Sequence, residues 1–229
     1  MAQPAPHQVT SAEDIVLELT EAVHEHRVSP GMKLREDEVG DIFGVSRTVV
    51  RQALRSMAHT GLVSIERNRG AFVARPSVRE AREVFEARAL LEPKTARAAA
   101  ERAGPRDILL LEEHIRQEHA ALARDEAGPA LKLSGEFHCE IARIADQHTI
   151  ETFIRQLISQ SSLVIALYWR RRNALCESHA HHALLDAFRS QDGDSAEELM
   201  KGHLLDLVSQ LDLRDQQADT TSLREALLK

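Results

Sequence analysis

The chain has 229 residues, 43% of them hydrophobic, and a formal net charge of −7. That length suits two domains with a core each, and no apolar run approaches the roughly 18 residues of a membrane span, so no membrane partner is expected. The N-terminus MAQPAPHQVTSAEDI carries neither a basic nor an apolar leader region, which implies a cytoplasmic protein, and Cys139 and Cys176, lacking CxxC spacing, read as buried thiols rather than a disulfide or zinc pair.

Residues 1–10, rich in Pro, Ala and Gln, read as a disordered arm. A first helix begins at Ser11 with Glu13 and Asp14 in its first turn, places Ile15, Leu19, Ala22, Val23 and His26 on one stripe, and stops at Pro30-Gly31. A second, over about 36–43, turns Val39, Ile42 and Phe43 inward and closes at Gly44. Ser46 caps a third that runs to about Thr60. Leu62, Val63 and Ile65, then Ala71, Phe72 and Val73, flank Arg67-Asn68-Arg69-Gly70 in a strand, turn, strand pattern. Three helices and a hairpin predict a winged helix-turn-helix over 11–75. After a linker over 76–80 around Pro76, helices are expected at about 78–103, 106–124, 129–146, 149–173, 178–190 and 194–213, with a polar tail over 214–229. The fold class is mainly α: a winged helix-turn-helix followed by an antiparallel all-helical bundle over 81–213.

Charge is unevenly placed. Residues 11–43 hold nine acidic side chains against Arg27, Lys33 and Arg35, whereas residues 44–75 hold Arg47, Arg51, Arg55, Arg67, Arg69 and Arg75 against Glu66 alone. In the third helix, Val50, Ala53, Leu54 and Met57 form an apolar stripe, and Arg47, Arg51 and Arg55 share another face with Thr48 and Gln52. Arginine reads guanine edges or phosphates, glutamine an adenine edge and threonine a phosphate or thymine methyl, so this face suits a DNA major groove. A solvated basic face is the bland alternative.

The segment PGMKLREDEVGDIFGVSRTVVRQALRSMAHTGLVSIERNRGAFV resembles the GntR family of bacterial regulators, departing from its usual pattern at Val49, where proline is common, and at Gln52, where glutamate is. The resemblance implies DNA contacts at Arg35, Arg47, Thr48, Arg51 and Gly70. Beyond Pro76, VFEARALLEPKTARAAA, LSGEFHCEIARIA, HHALLDAF and AEELMKGHL are similar to motifs of the FCD type of effector domain. That resemblance implies a divalent metal ion held at Ser134, His138, His181 and His203, where Ser134 replaces an aspartate. Three imidazoles suit zinc or nickel. Glu177, one turn before His181, or an external ligand are the substitutes for the absent carboxylate, and His179 and His182 are neighbours that helix phase sets apart from His181.

Arg88 is either a partner for a ligand carboxylate or one half of an ion pair with Glu92 at i+4. Tyr168 and Trp169 line the cavity, a dimer surface or a helix contact. Together these features predict a homodimeric regulator that binds double-stranded operator DNA and responds to a small organic acid held by Arg88, Ser134 and Tyr168, with the signal crossing the connection at Pro76. A metal-dependent hydrolase is the rival, though no HExxH occurs and no carboxylate is placed as a general base.

Overall fold

The computed structural model describes residues 11–170 and 178–214. The expected arm over 1–10, Cys176, Glu177, the side chain of His179 and the tail beyond Arg214 lie outside the described residues. The order is α1 (Ala12–His24), β1 (Lys33–Leu34), α2 (Glu36–Phe43), α3 (Arg47–His59), β2 (Val63–Glu66), β3 (Gly70–Val73), then α4 (Val78–Arg102), α5 (Pro105–Ala123), α6 (Ala127–Ile144), α7 (His148–Tyr168), α8 (Ser178–Arg189) and α9 (Gly193–Ser209).

The first unit is built as its sequence directs. Ser11 and Asp14 cap α1 reciprocally, and Ile15, Leu19, Ala22 and Val23 are buried on one stripe. Ile15, Leu19 and Val23 share a core with Val50, Leu54 and Met57 of α3 and Val63 and Val73 of the hairpin. Gly44 ends α2 in the left-handed conformation, φ 68°, that glycine adopts without steric penalty. The sheet is antiparallel in the order β1-β3-β2, with Leu34 opposite Ala71 and Val63 opposite Val73. The two residues of β1 carry no periodic signal and were not expected.

Several local expectations are corrected. Ile42 is exposed on α2, because Val39 and Gly40 supply the buried face and a Cβ at Gly40 would stand 3.0 Å from the Val45 carbonyl oxygen. His26 lies past the end of α1 at φ 56°, and the Ser46 hydroxyl makes no capping bond. The linker is shorter than 76–80, since Ser77 and Glu80 form a capping box that starts α4 at Val78. Helices α7 and α9 stop earlier than their patterns suggested. Trp169 turns extended and bridges Leu211, the Arg170 N–H donates to the Gln210 carbonyl at 3.1 Å, and the Asp212 N–H donates to the Tyr168 carbonyl at 2.7 Å. Those bonds replace the turns that helix would have supplied.

The bundle core gathers Phe85, Leu111, Phe137, Leu184, Phe188 and Met200, with α4 packed on α7 and α9 and α5 on α6 and α8. The two units are not independent. Leu163 of α7 belongs to the core of the first unit, and α1 packs on α6 and α7. Among the described residues no helix is long and apolar enough to cross a membrane.

Candidate functional site

Two sites emerge from this framework, a basic face on the first unit and a histidine centre inside the second. Arg47, Thr48, Arg51, Gln52 and Arg55 are all exposed on α3, opposite its buried stripe. Arg47 is the first residue of the helix, where free backbone N–H groups also favour a phosphate. Arg51 makes a bidentate bond to Glu36 of α2, Nε at 3.0 Å and Nη2 at 2.7 Å, and its guanidinium holds the Glu36 carboxyl below the usual range. Arg35 precedes α2 as its N-cap residue, 3.5 Å from Asp37.

The wing adds a second basic element. Gly70 opens β3 at φ 100°, and a Cβ there would meet nothing nearer than a Lys33 side-chain carbon at 3.7 Å, so its backbone angle rather than crowding calls for glycine. Arg69, which also pairs with Glu66, and Lys33 approach the Phe72 ring at 5.4 and 5.6 Å. Arg67 stands exposed at the tip.

In the bundle, α6, α8 and α9 each turn one imidazole inward. His138, His181 and His203 are buried, and one ring nitrogen of each lies within 4.8 Å of the others. The Nε2 atoms of His138 and His203 are 3.2 Å apart, close to the roughly 3.3 Å between two ligands on a tetrahedral ion with bonds of about 2.0–2.1 Å. Two carboxylates fix the rings from behind. His138 Nδ1 donates to Glu92 at 2.6 Å and His181 Nδ1 donates to Glu118 at 2.9 Å, which leaves each Nε2 with its lone pair facing the centre. His181 Nε2 is buried without a hydrogen-bond partner. Burial pushes the His138 pKa down against the opposing pull of Glu92, and burial together with the neighbouring His138 and His181 pushes that of His203 well below its ordinary value. Imidazoles that burial biases towards the neutral form at His138 and His203, beside the orphaned His181 nitrogen, fit a divalent transition ion.

Glu92 accepts from two side chains, Arg88 and His138. Arg88 reaches it through Nε at 2.5 Å and Nη2 at 3.3 Å, and Arg88 Nη1 donates to Ser161 Oγ at 3.1 Å. Burial alone would raise the Glu92 pKa, but Arg88 and His138 hold it down at about 2. The ion-pair reading of Arg88 is therefore the one its geometry supports. A cavity of about 580 Å³ lies alongside, and Arg88, Ser134 and His138 are among the residues that line it. Ser134 is buried one helical turn before His138. Cys139, also on the wall, is a buried thiol whose pKa burial raises to about 12. Tyr168 is not brought there: its hydroxyl donates to the Pro76 carbonyl at 2.8 Å, at the junction of the two units. Glu118, 63 residues from His181 in sequence, was missed because such a pairing has no spacing signature.

A family profile described as "Bacterial regulatory proteins, gntR family" matches residues 11–73, and the FCD domain profile matches residues 83–206. The HTH-type transcriptional repressor RspR of Escherichia coli K12 is 28% identical over 184 residues, covering 79% of each chain. The galactonate operon transcriptional repressor of the same organism is 28% identical over 206 residues, covering 80% of this chain and 89% of its own. A putative GntR transcriptional regulator from Rhodococcus sp. RHA1 shares the fold, with a TM-score of 0.76 at 22% identity over 87% of this chain and 96% of that one. With an arginine-bearing helix and wing in the matched 11–73 segment and a histidine-centred bundle in the matched 83–206 segment, the chain belongs to the gntR family of bacterial regulatory proteins, carries an FCD domain, and is a DNA-binding transcriptional regulator rather than an enzyme.

Proposed function

We propose that this regulator is a repressor that binds a pseudo-palindromic double-stranded operator as a homodimer and changes its operator affinity when a small organic acid enters the bundle. The observation that carries the reading is the cavity of about 580 Å³ that reaches a buried histidine centre in the same chain as an exposed, arginine-bearing reading helix. His138, His181 and His203 would hold zinc or nickel, which supplies a Lewis-acidic anchor for a ligand carboxylate. Glu92 and Glu118 keep the rings in the tautomer that binding needs, and Ser134, where a carboxylate would add charge, leaves room for one from the ligand. Repression and an acidic ligand are also suggested by two relatives, both named repressors and one of them of a galactonate operon.

A dimer follows from recognition geometry, because one winged helix reads few base pairs and a two-fold protein matches a two-fold site. In direct readout, Arg47 and Arg51 contact base edges or phosphates, Thr48 and Arg35 steady the backbone, and Gly70 lets the wing approach closely. The test has two steps. Small organic acids are screened for thermal stabilisation of the full-length protein, and operator affinity is then measured with each acid that stabilises it. A change of roughly 5- to 150-fold is expected for a coupled effector. Operator affinity unmoved by every stabilising acid, or the absence of any stabilising acid, would overturn the effector reading.

A further inference from the structure

The bundle alone does not close this cavity. One wall is α1 of the DNA-reading unit, where Thr20, Glu21 and His24 stand opposite Lys132 of α6 and Ser159 of α7. Direct contacts seal that seam. Lys132 pairs with Glu21, His24 Nε2 lies 3.1 Å from Ser159 Oγ, and His26 Nε2 lies 3.1 Å from the Ser162 carbonyl oxygen. At Gly128, in the first turn of α6, a Cβ would collide with the Glu25 carbonyl oxygen at the end of α1, so the close approach depends on glycine.

The seam end of the cavity is acidic. Glu18, Glu21 and Glu136 line it against Lys132, which pairs with Glu21 and lies 4.0 Å from Glu136; Glu25, 3.8 Å from Lys132, is off the wall and pairs with Arg27 at 2.7 Å. The other cations on the wall are already engaged, Arg155 by Glu151 and Arg88 by Glu92. An anionic group placed there meets like charge, whereas a hydroxyl or an ammonium finds acceptors. Lys132 and His138 are six residues apart on α6, a rise of about 9 Å, close to the reach of an extended six-carbon acid from carboxylate oxygen to terminal heteroatom.

Resting on the organic-acid reading above, we propose that the cavity is a composite site shared by both domains, in which the acidic seam selects a monocarboxylic acid whose far end donates hydrogen bonds and rejects a dicarboxylic acid of equal length. The carboxylate sits at the His138 end. The donating end touches Glu21 and Glu136, so the DNA-reading unit senses the ligand through α1 and not only through the connection at Pro76.

Calorimetric titration of the full-length protein with three six-carbon probes, galactonate, 6-aminohexanoate and adipate, tests this. Galactonate or 6-aminohexanoate is expected to bind at least about tenfold more tightly than adipate, and which of the two leads tells hydroxyl from ammonium recognition. Glu21→Gln and Glu136→Gln should each cut that preference severalfold. Since Glu21→Gln also loosens the seam, Glu136→Gln on α6 provides an independent measurement. Adipate binding as tightly as the better of the other two, or a preference unchanged in both variants, overturns the inference while leaving the organic-acid reading intact. No binding by any of the three overturns the inference, whereas the organic-acid reading falls only if the wider acid screen also finds no stabilising acid.

Discussion

Glu92 is the residue on which both halves of the buried centre lean, taking Arg88 on one side and His138 on the other. Replacing one member of such a buried pair leaves a charge without compensation, at a cost of about 3–5 kcal/mol, so Glu92→Gln is expected to lower the melting temperature as well as metal affinity. The candidate ligand histidines separate the two effects. His138→Ala and His203→Ala should lose a bound divalent metal while leaving Arg88 paired with Glu92, and Ser134→Asp should tighten metal binding by adding the carboxylate that this position lacks. Metal analysis of the purified proteins checks this, and a wild-type protein that neither retains metal nor gains thermal stability with added zinc or nickel contradicts it. The three histidines were legible in the sequence because each sits in its own motif. The carboxylates behind them were less so: Glu92 was visible only as a partner for Arg88, and Glu118 acquires its role through the packing of α5 against α8.

At the level of elements, α3 displays its reading face, but Arg51 is bound to Glu36 of α2 rather than free. Exposed pairs of this kind are worth about 0–1 kcal/mol, less than the 1–3 kcal/mol of a good bidentate base contact, so DNA is expected to displace Glu36. Arg47→Ala and Arg51→Ala should each weaken operator binding by about 1–3 kcal/mol. Glu36→Gln should strengthen binding to DNA of any sequence by removing a competitor and a negative charge. Fluorescence anisotropy with operator and scrambled duplexes distinguishes these outcomes, and weaker binding by Glu36→Gln to both duplexes would show that the acid organises the helix rather than competing for it. Helix periods, the Gly44 stop and the Arg67–Gly70 turn were readable because local chemistry determines them. The two-residue β1 was not, since it exists only as pairing with β3, and the ends of α7 and α9 were overrun because their stop is a tertiary hydrogen-bonded contact.

At the scale of the whole molecule, the seam between the units holds an ionisable group that reports on its closure. His24 of α1 is half-buried against α7, and desolvation there, reinforced by Lys132 and His26, lowers its pKa to about 4 from 6.5. A histidine held neutral in the native state binds a proton more readily once unfolded, so stability is lost as pH falls from about 6.5 towards 4. Tenfold in proton affinity corresponds to about 1.4 kcal/mol, which puts the loss on the order of 2 kcal/mol between about pH 7 and pH 5. Urea denaturation of the wild type and of His24→Gln measures it. The variant should show the shallower pH dependence, and identical slopes would mean that His24 does not titrate with unfolding.

The short stretch after α9 has a further consequence. Leu211 bridges Trp169, the Asp212 N–H donates to the Tyr168 carbonyl, the Leu213 carbonyl accepts from Arg82 Nη2 at 2.6 Å, and the Tyr168 hydroxyl itself holds the Pro76 carbonyl. Three residues near the end of the described chain thus act as a clasp over the place where the first unit hands the polypeptide to the second. A protease nick or a bulky fusion at that point would therefore act on the hinge itself, although it lies more than a hundred residues away along the backbone from the segment that reads DNA.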